Sequence, residues 1–320
     1  MKEPKMKKTP RQVSRNIIPS KLFYAVLLSL MGFVVAQAQN GQRANKPNQY
    51  PFKVEVSGHG RPMILIPGLY SSGQVWDGTV ARYKANYECH VLTLAGLAGE
   101  PPIAAPFLEK VRLGIADYIR AKKLRKPVVV GHSMGGFLAL WLASREPELV
   151  GPLVIVDILP YPPAAQQPTA TPETMKPQAE ALRKGMLAQS PEQRRQMQTA
   201  VLQTMITDSS KQALAAKWAD ASDPNTVAQA MYELLTTDLL PELARVKVPT
   251  LIIGTWIGLR QYMSREQVEK NFREQYASLA GYKFVMAEKA KHFVMFDEPE
   301  FLFEEMDNFL ASQSRKSGKP

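Results

Sequence analysis

The sequence predicts an α/β protein: a mostly parallel central sheet with helices on both faces and an inserted helical segment. Three observations carry that expectation. Short unbroken apolar runs rich in β-branched residues recur, Val128–Val130 and Leu153–Val156 among them, and such runs suit parallel strands buried on both faces. Gly131-His132-Ser133-Met134-Gly135 follows the first of these runs and leads into a helix-forming stretch. It fits Gly-x-Ser-x-Gly, which makes a nucleophile elbow when it joins a strand to a helix. Finally, Glu173–Thr237 is rich in Ala, Gln, Met, Leu and Lys and separates two strands, so it reads as a helical insert.

A chain of 320 residues holds one large domain or two small ones. Its 45% apolar and 8% aromatic content supplies a substantial core. The net charge of +11 is unevenly placed. Residues 1–38 carry seven Lys/Arg against one Glu, and Arg315, Lys316 and Lys319 add three more charges, which leaves roughly +2 on the body. A nucleic-acid-binding protein concentrates positive charge on its folded domain, so no nucleic-acid partner is expected. Cys89 is the one cysteine, which excludes an intramolecular disulfide. No Cys/His cluster has metal-ligand spacing, and neither a metal nor another cofactor is expected.

The first residues read as a targeting segment. Lys2–Lys21 is basic and contains prolines, Leu22–Ala36 is an uninterrupted run of apolar or small residues, and Ala36-Gln37-Ala38 is an A-x-A pattern. These are the n-region, h-region and cleavage site of a secretory signal. The run of 15 residues is shorter than the roughly 20 that span a bilayer; a retained membrane anchor is the alternative. The expectation is a signal over 1–38, a mature chain from Gln39 in the periplasm or outside the cell, and no stable membrane association after cleavage. Residues 39–49 are polar and aperiodic, as in a linker.

In the body, Phe52, Val54 and Val56 alternate with Lys53, Glu55 and Ser57, a half-exposed strand. Gly58–Pro62 reads as a hairpin-type turn. Met63–Ile66 is a buried strand running into the loop Pro67-Gly68-Leu69-Tyr70-Ser71-Ser72-Gly73. Val75–Tyr83 reads as a helix with Trp76 packed. His90–Leu94 is the next strand, followed by a small-residue loop, Ala95–Pro102. Phe107–Arg120 places Leu108, Val111, Ile115, Tyr118 and Ile119 at helical spacing. At the elbow, Gly131 and Gly135 remove side chains that so tight a turn would bring into collision, and Gly136 lets the helix approach the sheet. The turn lifts the Ser133 hydroxyl to a helix N-terminus, where the dipole and free N–H groups favour an anion. Leu153–Val156 ends at Asp157, at the carboxyl end of a strand, where ligands sit in such sheets.

Composition then changes, with six prolines between Pro160 and Pro177. Breaks near Ser190-Pro191, Thr207-Asp208 and Asp223-Pro224 divide the insert into about four helices, and Ser190 and Asp223 suit N-caps ahead of a first-turn proline. Pro249–Ile253 resumes the sheet. Ser264–Leu279 reads as a helix, with Ser264 as N-cap and Gln267 at the capping-box position. Tyr282–Met286 is the last strand, followed by Lys291-His292-Phe293 and a closing helix over Glu300–Leu310. The polar tail from Ala311 reads as disordered. The domain reading is therefore a core of 50–158 and 246–311, a helical cap of 159–245 and a disordered tail of 312–320.

The elbow Gly131–Gly135, the late His292 and the Pro67-Gly68 loop after an early strand together resemble a serine hydrolase of the α/β-hydrolase superfamily, over roughly Phe52–Leu310, with a less typical insert. The resemblance implies the α/β-hydrolase fold, Ser133 as nucleophile, and His292 as base because it follows the last strand. It also implies an oxyanion hole made by the backbone N–H groups of Leu69 and Met134. The superfamily loop commonly reads His-Gly; here Pro67 replaces the histidine. His132 is expected to point its side chain elsewhere, and His59 and His90 to lie at the wrong end of the sheet.

The third member is the open position. The superfamily usually carries an acid soon after the strand holding Leu251–Ile253, but no carboxylate occurs there before Glu266. Some members place it after the preceding strand, where Asp157 stands. Asp238 is the rival, although it precedes its strand and should face the opposite end. A degraded site on a non-catalytic binding protein is the further alternative. The leading expectation is an exported carboxylic ester hydrolase that forms an acyl-enzyme with a small-molecule acyl substrate. Amide, thioester or lactone hydrolysis and acyl transfer stay open, whereas a serine nucleophile argues against a dehalogenase or epoxide hydrolase. Met175, Met186, Met197, Met205 and Met231 either line an adaptable acyl pocket or form the core of the insert.

Overall fold

Alternation within the strands sets the layers of this protein. The computed structural model describes the backbone of residues 50–317 and the side chains of residues 50–313. The expected signal over 1–38, the linker 39–49 and the last three residues lie outside the described residues. Among the described residues seven strands are present: β1 (Phe52–Gly58), β2 (Arg61–Ile66), β3 (Tyr87–Leu94), β4 (Val128–His132), β5 (Leu153–Val156), β6 (Thr250–Thr255) and β7 (Lys283–Ala287). They form one sheet in the order β1-β3-β2-β4-β5-β6-β7. All neighbouring pairs are parallel except β1 with β3.

Side chains of a strand alternate between faces, and on β2 they feed two separate cores. Ile64 and Ile66 lie on the face whose core also takes in α2 (Phe107–Ala121), α3 (Met134–Arg145) and α8 (Arg265–Gln275). Met63 and Leu65 pack on the other face with Trp76, with Tyr83 of α1 (Asp77–Tyr83), and with Leu302 and Met306 of α10 (Pro299–Ser317).

Four local expectations are corrected. Gly58–Pro62 is no hairpin, because β1 pairs with β3 and not with β2. β2 is apolar on both faces and takes a parallel partner on each side, which leaves the half-exposed β1 to the edge. The strand holding His90 begins at Tyr87, so His90 lies within it, buried, with Nδ1 2.7 Å from the Tyr118 hydroxyl. The helix at 264–279 stops at Gln275. The tail is helical to Ser317: no Gly or Pro interrupts α10 before Gly318, and buried Phe309 and Leu310 anchor it.

Between β5 and β6 the insert forms α4 (Pro172–Ala188), α5 (Pro191–Met205), α6 (Ser209–Asp220) and α7 (Pro224–Thr236). Ser190 and Asp223 cap α5 and α7 by accepting from the N–H groups of Gln193 and Thr226. The insert is tied to loops that leave the carboxyl ends of the strands. Gly99 N–H donates to Ala221 O at 3.0 Å, Asp223 N–H to Gly96 O at 2.8 Å, and Phe293 N–H to Met205 O at 3.2 Å. The five insert methionines share no single surface: Met175 packs beside Tyr161, Met186 and Met231 pack against one core and Met205 against the other, and Met197 is 53% exposed.

Candidate active site

The register of β4 against β5 pairs His132 with Val156. The next residues, Ser133 and Asp157, therefore leave neighbouring strands side by side. Ser133 N–H donates to Val156 O and Asp157 N–H to Ile253 O, both at 2.8 Å. Each residue then turns sharply, with φ of 52° at Ser133 and 51° at Asp157. A non-glycine residue held there costs about 1–3 kcal/mol, a strain that clusters at functional sites. Two glycines make the Ser133 turn possible. A Cβ on Gly131 would lie 2.3 Å from Gly135 O, and one on Gly135 would lie 2.2 Å from Ile66 O.

Asp157 is held by the end of β6. Its Oδ1 accepts from Thr255 N–H at 2.9 Å and its Oδ2 from the Thr255 hydroxyl at 2.7 Å. Oδ2 also lies 2.6 Å from Nδ1 of His292. The structure thus joins His292 to Asp157 across the sheet end, and the end of β6 supplies Thr255 in place of a carboxylate. Asp238 accepts from Leu240 N–H at 2.8 Å and makes no bond to His292. Burial raises its carboxyl pKa above the ordinary value.

His292 follows β7 on the loop before α9 (Val294–Asp297), a loop gripped from two directions. Glu298 accepts from the N–H groups of Lys289 and Ala290, at 2.9 and 3.0 Å, and Asp297 accepts from that of Lys291 at 3.0 Å. From the insert, Gln203 O and Ile206 O accept from the Lys291 ammonium at 2.5 and 3.3 Å. Among the described residues no hydrogen bond joins Ser133 Oγ to His292.

The Leu69 and Met134 backbones flank the elbow. Gly68 lies so close that a Cβ on it would be 3.1 Å from Ser133 Cβ. Among the described residues the Leu69 N–H has no hydrogen-bond partner. Met134 opens α3, and a helix leaves its first N–H groups without an intrahelical acceptor. These donors and the helix dipole favour negative charge beside Ser133.

His132 corrects an expectation. Its side chain does not point away from the site. The ring lies 4.6 Å from that of His292, centroid to centroid, with Nε2 3.0 Å from His292 O. The physical reason is burial: at 1% exposure the imidazole needs a polar partner within the protein, and that carbonyl is one. Burial first, and the neighbouring His292 charge second, hold its pKa well below 6.5. The sequence reading missed this residue and Thr255; for both, the only signal was position one residue from an elbow or at a strand end.

Among the described residues no group of three His, Cys, Asp or Glu side chains is placed to hold a metal ion. No helix among them is long and apolar enough to cross a membrane.

The sheet order, the strained Ser133 turn and the late histidine define a class, and the comparisons agree with it. Residues 63–305 match the alpha/beta hydrolase family, and the chain belongs to that family. A pimeloyl-[acyl-carrier protein] methyl ester esterase of Nitrosomonas europaea is 27% identical over 208 residues, covering 62% of this chain and 78% of that protein. The enzyme of the same name from Vibrio atlanticus is 33% identical over 113 residues, 35% of this chain, and the chain spans only 42% of its length. Among solved structures, an esterase from Exiguobacterium antarcticum superposes with a TM-score of 0.67 at 18% identity, over 81% of this chain and 95% of that one. An enol-lactonase from Burkholderia xenovorans LB400 gives 0.65 at 19% identity, over 81% and 96%. At such identities the likeness establishes the fold.

Proposed function

We propose that this protein is an exported serine hydrolase that cleaves carboxylic esters of small molecules through Ser133, His292 and Asp157. The observation that carries the reading is the 2.6 Å contact between His292 Nδ1 and Asp157, formed at the strand end beside the strained Ser133. A carboxylate on Nδ1 selects the tautomer whose Nε2 is free to act as a base. The preference for esters draws support from the relative in Nitrosomonas europaea, which is a methyl ester esterase. Export rests on the basic, apolar and A-x-A segments of residues 1–38.

In the proposed reaction Ser133 Oγ attacks the ester carbonyl carbon while His292 Nε2 takes its proton. Asp157 stays ionised and stabilises the imidazolium. The carbonyl oxygen gains charge toward the Leu69 and Met134 N–H groups, a contribution that is often the largest in acyl transfer. Collapse of the tetrahedral intermediate expels the alcohol, protonated by His292, and leaves an acyl-Ser133. Water, deprotonated by His292, then releases the acid and regenerates the serine. In this reading the four inserted helices cap the site and shape the acyl pocket.

Labelling with a fluorophosphonate tests the nucleophile, because an activated serine reacts and an ordinary one does not. A labelled peptide containing Ser133 is the expected result, and a folded protein that takes no label refutes the reading. A panel of p-nitrophenyl esters of increasing chain length then defines the acyl preference.

A further inference from the structure

We infer that His132 is a positioning residue: a neutral imidazole, protonated on Nε2, that spaces the His292 loop, the Ser133 elbow and the Gly68 loop relative to one another. The inference rests on the serine-hydrolase reading of Ser133 and His292 and goes beyond it, because His132 touches no substrate in that mechanism.

One ring meets three parts of the site. It is joined through the chain to Ser133. Its Nε2 lies 3.0 Å from His292 O. A carbonyl can only accept, so the proton sits on Nε2. The other nitrogen, Nδ1, is buried without a hydrogen-bond partner among the described residues. It lies against Gly68, where a Cβ would approach it to 3.0 Å. The opposite tautomer would aim a lone pair at the carbonyl and bury an unpaired N–H beside Gly68, so the surroundings select one form. The ring also packs against those of His292 and Phe293, each with its centroid 4.6 Å away.

The arrangement has a consequence for the base. In the proposed cycle His292 becomes positive beside this ring. A second charge there would oppose that step, and burial keeps His132 neutral instead. The backbone bond also fixes the carbonyl of the residue that carries the base. Its loss frees the His292 loop to shift, and a misplacement of about 1 Å costs on the order of 100-fold in rate. An apolar ring would fill the volume without supplying that bond, which separates a positioning role from packing.

The test compares two variants with the unaltered chain. His132→Phe keeps the ring and removes the donor, whereas His132→Gln places an amide N–H where Nε2 was. For p-nitrophenyl ester hydrolysis, His132→Phe should lower kcat about 10- to 100-fold with KM within about 3-fold, and His132→Gln should recover kcat to within about 3-fold of the unaltered chain. The fluorophosphonate labelling rate should follow kcat. Nitrogen-15 spectra of histidine-labelled protein at pH 7 should show His132 as the Nε2–H tautomer.

A folded His132→Phe with undiminished kcat, or two variants equally impaired, overturns the inference, as does an Nδ1–H tautomer. Should His132→Phe not fold, the tautomer measurement on the unaltered chain and the His132→Gln rate decide it. An unaltered chain that takes no fluorophosphonate refutes the serine-hydrolase reading itself. A labelled one with a fully active His132→Phe refutes only this inference.

Discussion

Thr255 gives Asp157 two hydrogen bonds, from its N–H at 2.9 Å and from its hydroxyl at 2.7 Å, and these aim the carboxylate at His292. If Asp157 is the triad acid, Asp157→Asn keeps the shape and removes the charge, and it should lower kcat by as much as about 10⁴-fold with folding retained. Thr255→Val removes only the hydroxyl bond and should lower kcat by about 10-fold. Asp238→Asn should stay within a few-fold of the unaltered chain. Steady-state kinetics beside thermal unfolding separates these effects from stability. A stable, fully active Asp157→Asn protein would remove Asp157 from the triad.

Ser133→Ala and His292→Ala should each reduce kcat by about 10³-fold or more, because members of such a unit fail together. Circular dichroism should be unchanged. Near-normal esterase activity in folded Ser133→Ala protein would show that another residue is the nucleophile.

The elbow glycines are required by contact with backbone atoms, which yield less readily than flexible side chains. A methyl group on Gly135 would meet Ile66 O at 2.2 Å. Gly135→Ala should cost about 3 kcal/mol or more in chemical denaturation, at the upper end for overpacking. Gly185→Ala, in α4 with nothing within 4 Å of the added carbon, should be neutral or slightly stabilising. Equal stabilities of the two variants would contradict the close approach of the elbow to the Ile66 carbonyl.

Two buried histidines tie stability to pH. Burial lowers the pKa of His132 and of His90 below the 6.5 of an exposed imidazole. Between the folded and unfolded pKa values the unfolded chain binds more protons, so their contribution is present above about pH 6.5 and is lost as pH falls below it. Each such histidine adds a slope of at most about 1.4 kcal/mol per pH unit. Urea unfolding at pH 7.5, 6.5 and 5.5 should show declining stability, with a smaller decline in His132→Gln. An identical pH dependence in the two proteins would mean that His132 titrates normally in the native state.

The insert is also joined to the sheet domain through one carboxylate. Glu233 on α7 accepts from the N–H groups of Phe107 and Leu108, both at 2.7 Å, and so caps the start of α2. Glu233→Ala should cost about 1–2 kcal/mol, the range of a lost cap. A melting temperature unchanged from that of the unaltered chain would show that water replaces the carboxylate without penalty.

What the sequence determined by itself lies within a few residues of its signal. The apolar runs Val128–Val130 and Leu153–Val156 mark strands because the pattern of burial is written in consecutive side chains. The caps at Ser190, Asp223 and Ser264 are legible because each bonds a backbone N–H within three residues. The elbow glycines are legible for the same reason. Tertiary structure decided what depends on distant partners. The edge position of β1 depends on a strand some 40 residues onward, Phe52 pairing with Leu94. The choice of Asp157 over Asp238 as the partner of His292 is made across 135 residues, and the inward turn of His132 across 160. No periodicity or cap encodes such contacts: they arise when parallel strands bring their carboxyl ends together, and which side chains then meet is set by register and packing.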